Sequence, residues 1–235
     1  MEARMTPIPI VALDVPSQEA ALRLVDQLGE SCRFYKIGAE LFTASGPSVV
    51  REVRARGADV FLDLKYHDIP NTVAGAVSRA ADLDVRLLTV HASGGATMLK
   101  AAVEAAGDQT RCAVLVVTLL TSLKSDEVAA VWGRDRSLRI AEEVLRLADL
   151  ASETCAAGVV CSGKEAGDVK QRFGSSLSVL IPGVRMAGGA AYDQARVSTP
   201  ADAVAAGADF VVVGRAVTAA EDRRAAMREM LVQLA

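Results

Sequence analysis

A chain of 235 residues, 51% hydrophobic and only 4% aromatic, is long enough to bury a sizeable core. Its net charge of −3 supplies no global basic field, which excludes nucleic acid or an acidic membrane as the main partner. No apolar run reaches the length of a membrane span, and no apolar signal-peptide core opens the chain.

The four cysteines, Cys32, Cys112, Cys155 and Cys161, have no C-x-x-C spacing and read as buried, reduced thiols of a cytoplasmic protein. With His67 and His91 as the only histidines, a histidine-based metal cluster is not expected.

In chain order, Ile8 to Leu13 is a first apolar strand that ends in Asp14. Ser17 offers an N-cap, and Ser17 to Leu28 has the pattern of an amphipathic helix. Phe34 to Ile37 is a second strand with Lys36 inside it, and Pro47 to Arg56 is helical until Gly57 stops it. Asp59 to Leu64 is the third strand. Pro70 then sits where a helix first turn tolerates proline, opening a helix to about Asp82.

Leu87 to Val90 is the fourth strand, ending at His91, and a helix follows Gly94-Gly95 to about Ala106. Cys112 to Leu119 is the fifth strand, followed by a short helix from Ser125 and a longer one from Ser137 to about Cys155. Gly158 to Cys161 and Leu177 to Ile181 are strands six and seven, separated by a helix around Glu165 to Phe173. Pro200 to Ala206 is helical, Asp209 to Val213 is the eighth strand, and a final helix covers roughly Ala220 to Leu234.

Eight largely non-alternating apolar strands interleaved with helical patterns imply a parallel sheet covered on both faces. A single-domain (β/α)8 TIM barrel spanning residues 1–235 is the favoured architecture, close to the roughly 250 residues typical of that fold. A doubly wound open sheet is the alternative. The segment Gly183 to Thr199, long and rich in Gly and Ala, is expected to form a lid or binding loop on the C-terminal rim.

The stretch Asp63-Leu64-Lys65-Tyr66-His67-Asp68-Ile69-Pro70-Asn71-Thr72 organises the chain. Residues two apart share a strand face, so Asp63 and Lys65 point one way while Leu62 and Leu64 point the other. Buried charges of this kind are costly unless paired or used. Asp68 and Thr72 follow just past the strand end.

Other polar residues fall at strand ends: Asp14, Lys36, His91, Thr121, Ser122, Arg185 and Arg215. In a barrel that is the face where active sites are built. Asp14, Lys36, Asp63, Lys65 and Asp68 alternate in sign and can form a compensated network. A protonated lysine so held can act as a general acid and stabilise developing negative charge, which points to an anionic intermediate. After strand eight, Gly214 lets a ligand approach the backbone, and Arg215 can complete a phosphate site.

These residues resemble the bacterial-type orotidine 5′-phosphate decarboxylase family. The resemblance rests on Ala12-Leu13-Asp14, Lys36-Ile37-Gly38, the ten residues from Asp63 to Thr72, and His91-Ala92-Ser93-Gly94-Gly95. It continues through Leu120-Thr121-Ser122, Pro182-Gly183-Val184-Arg185, Asp193-Gln194 and Gly214-Arg215, in order along nearly the whole chain. D-x-K-x-x-D alone is shared with other phosphosugar barrels, whereas its extension through H-D-I-P-N-T is highly specific. Tyr66 departs mildly from the phenylalanine more often expected there.

The resemblance implies removal of CO2 from orotidine 5′-monophosphate to give uridine 5′-monophosphate (UMP), the last step of de novo UMP synthesis, without metal or organic cofactor. It implies that Lys65 stabilises the carbanion at carbon 6 and donates its proton, with Asp63 beside the departing carboxylate. Lys36 and Asp14 would bind ribose hydroxyls, with Lys36 bridging to Asp63. Thr121 would contact the pyrimidine, and Arg185, Gln194, Gly214 and Arg215 would bind or cover the phosphate. The resemblance also implies a homodimer in which Asp68 and Thr72 reach the neighbouring subunit's site.

Metal-dependent phosphosugar enzymes of the same barrel group share D-x-K-x-x-D but carry an acidic metal ligand where Lys36 stands. A lysine there repels a divalent cation. A non-catalytic phosphosugar-binding barrel needs a phosphate site, but it has no use for a lysine flanked by carboxylates.

Overall fold

The computed structural model describes residues 6–135, 138–186 and 198–235. Eight parallel strands close into a barrel in sequence order: β1 (Ile8–Ala12), β2 (Phe34–Gly38), β3 (Asp59–Tyr66), β4 (Leu87–His91), β5 (Ala113–Val117), β6 (Gly158–Val160), β7 (Ser178–Val184) and β8 (Phe210–Val213). Closure is made by β1 on β8, with Ile8 opposite Phe210 and Val11 opposite Val213. The open-sheet alternative is thereby excluded.

Among the described residues the helices are α1 (Gln18–Leu28), α2 (Ala39–Ser45), α3 (Pro47–Ala55), α4 (Pro70–Ala81), α5 (Gly95–Ala106), α6 (Ser125–Val131), α7 (Ile140–Glu153), α8 (Gly163–Phe173), α9 (Pro200–Ala205), α10 (Arg215–Thr218) and α11 (Arg223–Leu234). Local chemistry explains many of their ends. Ser17 caps α1 by accepting the Ala20 N–H at 3.3 Å. Proline occupies the first turn of α3, α4 and α9.

Several elements differ from the sequence pattern, among them β7, which runs on to Val184, and β5, which ends at Val117. Helix α2 was not foreseen, because seven residues ended by Gly46 are too few to display a period. Helix α10 is a further short helix absent from the sequence pattern, and the final helix starts at Arg223 and not near Ala220, since Asp222 accepts the Ala225 N–H at 2.9 Å. Strand β3 runs on to Tyr66, past the expected end at Leu64.

The strands have two kinds of face. Outward residues such as Val11, Ile37, Leu62, Leu88 and Val116 pack against the helices in one large core. Inward residues Ile10, Ala12, Phe34, Phe61, Leu87, Leu115, Val117, Val160, Leu180 and Val212 form a second cluster that plugs the barrel. Both faces are apolar low in the barrel, which is why the strands read as continuous hydrophobic runs.

One cysteine departs from the expected burial. Cys32, Cys112 and Cys161 are buried, but Cys155 is exposed. It follows the C-cap of α7 with φ of 57°. Cys155 N–H bonds to Ser152 O at 3.0 Å, and Ala156 N–H bonds to Ala151 O at 3.0 Å. This helix-terminating motif normally favours glycine, and it turns the Cys155 side chain to solvent.

Relief of the left-handed conformation is worth roughly 1–2 kcal/mol. Glycine gives back roughly 0.4–1 kcal/mol through the freer unfolded chain. Cys155→Gly is therefore expected to raise the melting temperature by about 1–4 °C, given the few degrees per kcal/mol of chains this size. A fall in melting temperature would show that the thiol contributes contacts outweighing the backbone strain.

Candidate active site

The site is built by continuing each inward face one step above the apolar plug. On β1, Ile10 and Ala12 are followed by Asp14; on β2, Phe34 is followed by Lys36 and Gly38. On β3, Phe61 is followed by Asp63; on β4, Leu87 is followed by Thr89 and His91. Period-two alternation thus carries polar groups from four adjacent strands to the C-terminal mouth.

There the charges alternate in sign. Lys36 Nζ donates to Asp14 Oδ1 at 2.8 Å and lies 3.9 Å from Asp63 Oδ2. Lys65 Nζ donates to Asp63 Oδ1 at 2.8 Å. Exposure rises outward along this chain: the side chains of Lys36 and Asp63 are 12% and 13% exposed, Lys65 is 36%, and Asp14 is 65%. The inner pair therefore interacts through a drier medium than the outer one, where solvent screens the charges.

Gly38 leaves room for the outer pair. A Cβ there would lie 3.0 Å from Lys36 Nζ and 3.7 Å from Asp14 Oδ1, against the ion pair. The last residue of β2 is thus a small one under two charged side chains that meet over it.

Lys65 occupies an unusual backbone state. Strand β3 pairs with β4 up to Leu62–Leu88, and pairing resumes only at Tyr66–Val90. Asp63, Leu64 and Lys65 stand against Thr89 alone, and Lys65 has φ of 50°. Such a break at a barrel rim re-aims side chains, and left-handed geometry in a non-glycine residue stores strain. Lys65 and Asp63 meet as foreseen, although the strand between them is not regular.

A cavity of about 790 Å³ opens at this mouth. Asp14, Lys36, Asp63, Lys65, Thr121, Arg185, Gly214 and Arg215 all line it. The carboxylate–ammonium chain lies on the strands from β1 to β3, while Arg185 and Arg215 come from beyond β7 and β8. Pockets of this size suit a nucleotide-sized ligand.

Asp68 and Thr72 are not brought into this group. Both are exposed, Asp68 beyond the end of β3 and Thr72 in the first turn of α4. Asp68 Oδ1 accepts the Ile69 N–H at 2.6 Å. The expected five-member network is thus a four-member one within a single chain, because the backbone turns outward after Tyr66. Asp193 and Gln194 lie outside the described residues, as does most of the expected lid. The ends of that segment are tied together by Arg185 N–H to Ser198 O at 3.0 Å.

His91 stands at the rim beside His67, their ring centroids 5.8 Å apart. Burial lowers the His91 pKa, His67 and the Lys65 ammonium push the same way, and Asp63 opposes them. The imidazole is therefore held neutral at ordinary pH.

Thr89 also belongs to this group, through its bonds to Lys65 N–H and Asp63 Oδ1. Its signal in the sequence is a lone hydroxyl in the apolar run Leu87-Leu88-Thr89-Val90, in register with His91.

A family model described as orotidine 5′-phosphate decarboxylase / HUMPS family matches residues 7–230. The chain is 50% identical over 229 residues to orotidine 5′-phosphate decarboxylase of Halorhodospira halophila, covering 96% of this chain and 95% of that protein. It is 44% identical over 227 residues to the Saccharophagus degradans protein of the same name, covering 96% and 94%. Among solved structures, orotidine 5′-phosphate decarboxylase from Lactobacillus acidophilus is 34% identical and superposes with a TM-score of 0.85, covering 98% of this chain and 99% of that one.

Proposed function

The chain belongs to the orotidine 5′-phosphate decarboxylase / HUMPS family and is a carboxy-lyase of pyrimidine biosynthesis, and we propose that it uses Lys65 as the proton donor to carbon 6 of its substrate. Orotidine 5′-monophosphate loses CO2 and UMP is formed. The observation that carries the residue assignment is the alternating chain Asp14–Lys36–Asp63–Lys65 lining the same cavity as Arg185 and Arg215.

In this reading, Arg185 and Arg215 hold the phosphate together with the backbone at Gly214, each arginine through charge-assisted bonds. Asp14 and Lys36 bind the ribose hydroxyls, and Thr121 contacts the pyrimidine. Gln194 is assigned to the phosphate on the family resemblance alone. The base is then directed toward Asp63 and Lys65, and binding energy from the remote phosphate is spent on placing it there.

The bond from carbon 6 to the carboxylate breaks, CO2 leaves, and the electron pair stays on carbon 6. The Lys65 ammonium stabilises that charge and transfers its proton, forming the C–H bond of UMP. Lysine is regenerated by a proton from solvent. Asp63 holds the Lys65 side chain in place before the step, through the 2.8 Å bond to its Oδ1.

The ammonium of Lys36 stands between Asp14 and Asp63, where it repels a divalent cation; this supports decarboxylation without a metal over the phosphosugar alternatives. Assembly as a homodimer with shared sites is part of the proposal. Asp68 faces outward at the rim, and Ile69 beside it is 67% exposed, a large apolar side chain suited to burial against a second copy. We place the protein in the cytoplasm; among the described residues no helix is long and apolar enough to cross a membrane.

The test follows the absorbance of orotidine 5′-monophosphate with purified protein, with and without excess chelator. Equal, rapid loss in both is expected. Activity that vanishes with chelator and returns with magnesium would favour a metal-dependent phosphosugar-type reaction, and no loss in either would end the decarboxylase reading.

A further inference from the structure

Thr89 is 1% exposed, in the middle of β4 between apolar Leu88 and Val90. A buried hydroxyl is costly unless bonded, and valine would fill the same space without that cost. The Thr89 hydroxyl makes two bonds. It accepts the Lys65 N–H at 2.9 Å and donates to Asp63 Oδ1 at 3.0 Å. That carboxylate oxygen is the one receiving Lys65 Nζ at 2.8 Å. One hydroxyl therefore holds both ends of the Asp63–Lys65 ion pair, one through backbone and one through side chain.

The backbone bond answers the break in strand pairing. With Asp63, Leu64 and Lys65 facing Thr89 alone, the β3–β4 ladder lapses at Lys65, and its N–H finds its acceptor in the Thr89 side chain. Fixing that N–H supports the left-handed geometry of Lys65, and hence the direction in which its side chain leaves the main chain. The bond to Asp63 turns Oδ1 toward Lys65 and leaves Oδ2 toward Lys36.

We propose that Thr89 is a positioning residue for the decarboxylation, setting the backbone of Lys65 and the carboxylate orientation of Asp63 through one hydroxyl. The proposal rests on the reading of Lys65 as proton donor.

The test compares Thr89→Val with Thr89→Ser in the full-length protein. Thr89→Val keeps the volume and loses the hydroxyl. It is expected to lower kcat by about 10- to 100-fold, with KM changed less than about threefold, as misplacement of a reacting group does. Thr89→Ser keeps the hydroxyl and is expected to stay within about threefold of the parent in kcat. Hydrogen exchange of the Lys65 amide, read by NMR, is expected to quicken in Thr89→Val and remain protected in Thr89→Ser.

A Thr89→Val enzyme with parental kcat would overturn the proposal. So would equal kcat losses in both variants, which would make shape the determinant, or a loss confined to KM. If Thr89→Val does not fold, Thr89→Ala also lacks the hydroxyl and is judged against Thr89→Ser in the same way. If the parent itself leaves orotidine 5′-monophosphate unchanged, it is the decarboxylase reading that fails. The amide exchange still decides whether Thr89 holds Lys65, and unchanged protection in Thr89→Val would show that it does not.

Discussion

Lys65→Ala is expected to lower kcat by roughly four orders of magnitude or more, while nucleotide binding survives. Two contributions are lost together. A positioned general acid is worth roughly 10²- to 10⁴-fold, and a preorganised charge facing a developing anion roughly 10²- to 10³-fold. Both act mainly in the transition state, so the loss belongs in kcat rather than in KM.

Binding should persist because Arg185, Arg215 and Lys36 line other parts of the cavity and are untouched by the change. Removing the ammonium leaves Asp63 with Lys36 at 3.9 Å and the Thr89 hydroxyl at 3.0 Å, so its carboxylate is not stranded. Steady-state kinetics with UMP binding by calorimetry check both halves. A pure variant that keeps more than a few percent of kcat would show that another group protonates carbon 6.

Mixing two nearly inactive homodimers, Lys65→Ala and Asp68→Ala, is expected to restore about a quarter of wild-type activity. Lys65 lines its own barrel's cavity, whereas Asp68 is exposed on the outward turn before α4. One loop would thus serve two sites, and a two-fold dimer makes the sharing reciprocal. In a mixed dimer, one site carries both defects and the other carries neither. Random exchange makes about half of the dimers mixed, so about one site in four is intact, by the symmetry of a closed dimer. If Asp68 served its own chain, every site would remain defective. A mixture no more active than its parents, with exchange confirmed by mass spectrometry, would rule out the shared site.

The sequence by itself narrowed the fold to a closed barrel or an open parallel sheet and brought out most of the candidate site. Eight apolar runs covered on both faces left few architectures, and a polar residue ending an apolar strand is conspicuous. Asp14, Lys36, Asp63 and Lys65 were legible for that reason, and their alternating charge anticipated the pairing later found between them.

Tertiary structure decided what local pattern does not encode. The exclusion of Asp68 from its own chain's network depends on where the backbone turns after Tyr66, which no periodicity records. Cys155 is exposed because the end of α7 turns left-handed, a matter of helix termination and not of hydrophobicity. The close approach of Lys36 to Gly38 follows from Lys36 meeting Asp14 across two strands. Thr89 shows in the sequence only as a lone hydroxyl in an apolar run, because its bonds to Lys65 and Asp63 form where β3 breaks register against β4. Spacing along one strand reports which face a side chain takes; which groups meet across strands is set by register and closure, and those belong to the folded barrel.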